Sequence, residues 1–158
     1  LFGDSYLPTE LLSPNIFKNE IFNRYNIHFS GELVLDDIYE KLKNANKSVL
    51  CIVNTILTSK NIFSIISNTN NYDVIYLLNS QITPYDRKNI ITNIKNDLKT
   101  TKKILVISTQ VVEAGVDISF PIVYRDAAPP SSIIQSGGRC NRNGELVTGD
   151  MYLFLYIF

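Results

Sequence analysis

Ile104-Leu-Val-Ile-Ser108-Thr109-Gln110-Val-Val-Glu113-Ala-Gly115-Val-Asp117-Ile118 decides how the rest of the chain is read. Residues 104–107 are apolar and too few for a helix. Such a run is typical of a strand buried on both faces of a parallel sheet. The chain turns polar where that strand should end. Thr109 and Gln110 then bring a hydroxyl and an amide to the strand's carboxyl edge, Gly115 permits a tight turn or a close backbone approach, and Asp117 adds a carboxylate. A loop of this kind suits a phosphate on backbone N–H groups and a sugar hydroxyl on the carboxylate. A plain sheet loop with a capping aspartate has the same composition.

Outward from this stretch the same alternation repeats. Further strands are expected at 48–53, 73–78, 121–124 and 151–157. Between them come helices at 36–44, with Ile38, Tyr39 and Leu42 at helical spacing, and at 58–67, with Ile62, Phe63, Ile65 and Ile66 inward. A third helix is expected at 84–98, with Thr83 as N-cap and Pro84 in the first turn. A short fourth, 131–137, follows the Pro129-Pro130 break. Strands alternating with helices imply an α/β parallel sheet with helices on both faces. Residues 31–158 form that domain. Residues 1–30 read as an edge or connecting segment, in which 21–29 is open to an extended piece. Ligands of such sheets bind at the carboxyl ends of strands, so the residues after Val53, Leu78, Ile107 and Tyr124 matter most.

The 158 residues suit one domain, 45% hydrophobic and 19% charged, with a net charge of zero. That neutrality argues against a stand-alone nucleic-acid binder, which usually carries a basic patch, but leaves room for local phosphate contacts. Cys51 and Cys140 form no CxxC pair and His28 is the one histidine, so no zinc site is expected. Two lone thiols suit a reducing cytoplasm. No signal peptide opens the chain, and no apolar run reaches the ~18 residues of a membrane span. The start at Leu1 and the apolar end at 151–158 read as cuts in a longer protein.

A second segment carries chemistry: Gln135-Ser136-Gly137-Gly138-Arg139-Cys140-Asn141-Arg142. Two arginines three apart can share a helical face, and their forks suit the γ-phosphate of a nucleotide and the charge of phosphoryl transfer. Two surface arginines on a loop are the plainer alternative. Read together, "STQVVEAGVDISF" resembles motif V of superfamily 2 helicases, and "QSGGRCNR" resembles their motif VI, usually written QRxGRxxR. The wording from "TQVVEAGVD" through "VYRDAAPPSSIIQ" to "GRCNR" is similar to the CRISPR-associated helicase-nuclease of type I systems. Val53-Asn54-Thr55 matches motif IV of that family, and Leu78-Asn79-Ser80 with Asp86-Arg87 resembles its motif IVa. The resemblance covers residues 31–158. It departs at Ser136, where the pattern has arginine, and at Gln81, where a second basic residue is common.

The resemblance implies a second RecA-like domain of an ATP-dependent helicase acting on single-stranded DNA in CRISPR interference. In such motors ATP sits between two RecA-like domains, and the first holds most of the magnesium. This chain has no GxxxxGK[ST] loop and no Asp-Glu-x-His box. Alone it should therefore bind ATP feebly and hydrolyse none. By similarity, Arg142 is the arginine finger with Arg139 beside it. Gln135 senses the γ-phosphate or the partner's acidic box, Asp117 meets the ribose or couples to Arg142, and Gly115 gives the turn. Asn54, Thr55 and Thr109 touch the phosphates of the strand. Implied partners are the first RecA-like domain and nuclease domain of the parent chain, single-stranded DNA and a CRISPR surveillance complex. Glu113 is either part of motif V signalling or solvated. Arg125 and Asp126 read as a structural ion pair after a strand, and His28 and Cys140 lie outside the functional set. Two other readings stay open. One is another superfamily 2 translocase, of restriction or repair. The other is a non-catalytic binding module, favoured by zero net charge, Ser136 and Gln81.

Overall fold

Six strands, all parallel, form a single sheet in a computed structural model that describes residues 23–113 and 115–158. In chain order they are β1 (Tyr25–Leu33), β2 (Val49–Ile52), β3 (Val74–Leu78), β4 (Ile104–Ser108), β5 (Ile122–Asp126) and β6 (Gly149–Tyr156). Between them run α1 (Leu35–Asn44), α2 (Ile56–Ile66), α3 (Pro84–Leu98) and α4 (Pro130–Gly137). The spatial order is β1-β6-β5-β2-β4-β3.

The central strands show why the order arises. Every residue of β2, β4 and β5 is buried, so each needs a neighbour on both edges and a layer on both faces. Successive side chains of β2 go to opposite sides. Val49 and Cys51 join Ile38 and Leu42 of α1 and Ile62 and Ile66 of α2. Leu50 and Ile52 join Ile94 of α3 and the residues Val112, Val116, Ile118 and Phe120 that follow β4. Helices cover both faces, as the alternation implies. The helix ends follow the local chemistry. Thr83 Oγ1 accepts the Asp86 N–H at the start of α3, with Pro84 in the first turn. Asp36 and Asp37 open α1, and Lys41 and Lys43 close it, each sign facing the favourable end of the helix dipole.

Two expectations change. The division at residue 30 falls inside β1, which belongs to the sheet by its parallel pairing with β6; residues 1–22 lie outside the described residues. The strand expected at 121–124 runs on to Asp126, so Arg125 and Asp126 are buried within β5 and do not follow it. Among the described residues no helix is long and apolar enough to cross a membrane.

Because every strand is parallel, the carboxyl ends of β2, β3, β4 and β5 open on one edge. Backbone bonds hold the outgoing loops close to it: Val53 N–H to Ser108 O at 2.9 Å, and Thr109 N–H to Leu78 O at 3.1 Å.

Candidate functional site

The loop after β4 is held from inside by two arginines. Arg139, 7% exposed, donates Nε to the Val112 carbonyl at 3.1 Å and Nη2 to the Glu113 carbonyl at 2.7 Å. Arg125, wholly buried, faces the Glu113 carboxylate at 3.0 Å. Its Nη1 donates to Asn54 Oδ1 at 2.9 Å and to the Asp126 carbonyl at 2.8 Å. Glu113 Oε1 also accepts the Ser136 hydroxyl at 3.2 Å. Burial pushes both guanidinium pKa values down. Glu113 and then Asp126 oppose this at Arg125, whereas the like charge of Arg142 adds to it at Arg139. Both side chains stay charged, since arginine does not lose its proton in proteins.

This geometry corrects several expectations. Glu113 is not solvated; it is a buried partner of Arg125 and Ser136. The ion pair of Arg125 is made with Glu113 across the sheet edge and not with its neighbour Asp126. Arg139, expected beside Arg142, faces inward and spends its donors on the loop. Thr109, expected at the strand phosphates, is only 4% exposed.

The outward-facing residues form the open part of the site. Arg142 Nε donates to Asp117 Oδ1 at 2.7 Å, with side chains 41% and 71% exposed. Gly115 sits between Glu113 and Asp117 at φ +69°, with open space where a side chain would project. That left-handed backbone favours glycine. Gln135 is exposed on α4. At the end of β2, Asn54 and Thr55 are exposed. Asn54 Nδ2 donates to the Ala127 carbonyl at 2.7 Å, and Asn54 N–H donates to Asp126 Oδ2 at 3.3 Å. Thr55 Oγ1 caps α2 by accepting the Thr58 N–H at 3.0 Å. Beside Asp117 a cleft of about 280 Å³ is lined by Lys95, Lys99, Ser119, Asn143 and Glu145.

Asn141 explains why one arginine turns in and the other out. It is buried, takes φ +44°, and donates Nδ2 to the carbonyls of Arg24 and Leu146, both at 2.9 Å. Asparagine tolerates this left-handed backbone better than most residues. α4 has already ended at Gly137, where any side chain would run into the ring and hydroxyl of Tyr25. The two arginines therefore lie on a turn and do not share a helical face. Sequence reasoning missed the Arg125 hub and the role of Ser136. The one available signal was an asparagine between two arginines.

An exposed guanidinium and carboxylate next to two lysines fit the phosphates and sugar hydroxyls of a nucleotide. They lie towards the amino ends of β1 and β5, where Arg24 donates to the Arg142 carbonyl at 3.0 Å and Cys140 pairs with Phe120, and not at the carboxyl edge expected for Asp117. A metal is different. Among the described residues no group of three or more His, Cys, Asp or Glu side chains is placed to hold one.

Comparison with known proteins gives concordant results. The family model for the C-terminal region of the CRISPR-associated nuclease/helicase Cas3 matches residues 45–145, a span that includes Asn54, Asp117 and Arg142. The Cas3 of Haloferax volcanii is 49% identical over 73 residues, which are 46% of this chain and 8% of that protein. The Cas3 of Methanothermobacter thermautotrophicus is 30% identical over 132 residues, 81% of this chain and 16% of that protein. The chain thus spans less than a fifth of either relative. Among solved structures, T. fusca Cas3 with ADP superposes with a TM-score of 0.71 at 18% identity, covering 86% of this chain and 19% of that one. S. cerevisiae Dbp5 bound to RNA and ADP BeF3 gives 0.65 at 17% identity, covering 86% and 36%. At these identities the structures establish the RecA-like fold.

Proposed function

The chain belongs to the C-terminal family of the CRISPR-associated nuclease/helicase Cas3, and on that premise we propose that it is the second RecA-like domain of an ATP-dependent superfamily 2 motor moving along single-stranded DNA in CRISPR interference. The observation that carries this reading is Arg142, exposed to solvent and steered by Asp117 at 2.7 Å.

In this reading Arg142 is the finger that meets charge growing on the transferred phosphoryl group. Such a group is typically worth ~10³–10⁵ in rate. Asp117 orients it, or releases it to bind the ribose. Gly115 lets the loop pass close to the nucleotide, and Gln135 faces the γ-phosphate or the acidic box of the partner domain. Arg139 supports this surface from beneath. Asn54 and Thr55 take the phosphates of the strand, and neutral backbone contacts of that kind suit translocation without sequence preference. They also suit a chain of zero net charge. Ser136, where the family pattern has arginine, is buried and bonded to Glu113, which supports a built site over a decayed one.

The other parts belong to the longer protein. The first RecA-like domain supplies the phosphate loop and holds magnesium, a nuclease domain cuts, and a surveillance complex in the cytoplasm delivers the strand. The chain alone hydrolyses no ATP. The relatives support the nucleotide: solved T. fusca Cas3 structures carry ADP and ATP. The test is DNA-stimulated ATP hydrolysis by the full-length parent, wild type against Arg142→Ala, with ATP binding measured alongside. Turnover should fall at least ~10³-fold while binding largely survives. Unchanged turnover would overturn the reading.

A further inference from the structure

Arg125 is the largest completely buried side chain among the described residues. An arginine is kept out of water only where it is paired and hydrogen-bonded. Its partners come from three places that are far apart in sequence. Nη1 holds Asn54 Oδ1 in the loop after β2 and the Asp126 carbonyl at the end of β5. Nη2 faces Glu113 in the loop after β4, and Glu113 holds Ser136, the neighbour of Gln135 on α4. The bond to Oδ1 turns the Asn54 amide so that Nδ2 reaches Ala127. One guanidinium thus sets the attitude of the exposed asparagine after β2 and anchors the side chain of the loop that leads to Asp117.

A second feature separates this hub from a purely structural one. Arg125 Nε has no hydrogen-bond partner, and the Nη2 contact to Glu113 is close without the alignment of a hydrogen bond. Buried donors left in this condition are costly and uncommon. A small rotation of the guanidinium or of Glu113 would change these contacts.

We propose that Arg125 is a positioning residue that couples the strand-facing loop at Asn54 to the nucleotide-facing segment at Glu113 and Ser136. It rests on the motor reading above. A strand phosphate drawing on Asn54 loosens the Oδ1 bond. The guanidinium then turns to satisfy its free donors on Glu113, and the loop carrying Asp117 shifts with it. Arg125 touches neither nucleotide nor strand, so its loss breaks the communication and leaves both sites present.

The test uses the full-length parent as wild type, Arg125→Met with Glu113→Gln, and Ser136→Ala. Removing both charges together avoids stranding one of them in the core. Ser136→Ala cuts one bond of the relay and keeps the fold if the double variant does not. Thermal unfolding, ATP turnover without DNA, and turnover at saturating single-stranded DNA are measured for each. The expected result is a DNA stimulation, taken as turnover at saturating DNA over each variant's own turnover without it, reduced at least ~10-fold in the double variant and about 3-fold in Ser136→Ala. Full stimulation in whichever of the two variants folds overturns the coupling role. A wild-type parent that shows no DNA stimulation, or an Arg142→Ala parent that keeps it, would instead sink the motor reading.

Discussion

The two arginines of the 135–142 segment should have very unequal effects on stability when cut back to alanine. Arg139 gives two charge-assisted bonds, at 3.1 and 2.7 Å, to carbonyls of the loop after β4. Bonds from a charged donor are each worth about 1.5–3 kcal/mol. Part of that sum is already spent, because burial strains the charged form, as its lowered pKa indicates. A net loss of roughly 3 kcal/mol for Arg139→Ala is therefore expected, allowing for that penalty. Arg142 is bonded chiefly to Asp117, and both side chains are largely in water. Such a pair is worth less than about 1 kcal/mol. Urea unfolding of the 158-residue chain followed by far-ultraviolet circular dichroism separates the two. For a domain of this size ~1 kcal/mol moves the melting temperature by about 2–4 °C, so Arg139→Ala should melt roughly 6–12 °C lower and Arg142→Ala close to wild type. An Arg139→Ala chain no less stable than Arg142→Ala would refute the division of labour drawn from the structure.

Gly137→Ala should cost about 1–3 kcal/mol by overpacking against Tyr25. The cost should shrink in a Tyr25→Ala background, and a double-mutant cycle that shows no coupling would contradict the contact. Burial pushes the Cys51 and Cys140 thiols up to about 12, so a thiol reagent at pH 8 should label neither in the folded chain and both in urea, as read by mass spectrometry. The same burial gives a pH dependence of known sign. Cys51 and Cys140 rise from 9.0 to about 12, and Tyr124 and Tyr76 from 10.0 to about 12. The unfolded chain gives up these protons first, so stability is full below pH 9 and falls as pH climbs towards 12. Urea midpoints that stay level from pH 8 to 11 would count against it.

The elements legible in the sequence were those whose neighbours in the chain dictate them. β2 and β4 are continuous apolar runs, and α3 begins at Thr83-Pro84, where the cap and the first-turn proline agree. β1 was legible only as a possible extended piece at 21–29, because an edge strand with Asn26, His28, Ser30 and Glu32 carries no run of its own; it is a strand by virtue of β6. β5 was cut two residues short because an arginine looks like the end of a buried run. Only Glu113, brought in by the fold, makes Arg125 tolerable there. In the site, the pairing of Asp117 with Arg142 was one of the two roles that the family resemblance implied for Asp117. The inward turn of Arg139 was not implied, because three-residue spacing implies a shared face only on a helix, and Asn141 breaks that geometry with one left-handed residue.

The strand order also governs how the domain is made. β6 lies between β1 and β5, and among the described residues β1 pairs with β6 alone. On the ribosome β1 therefore emerges before its partner in the sheet. At roughly 5–20 residues per second it waits between about 6 and 25 s, through the synthesis of β2 to β5, until Gly149–Tyr156 follows. A nascent chain stopped short of residue 149 would have β5, β2, β4 and β3 and an unpaired β1. β6 thus decides whether β1 joins the sheet at all.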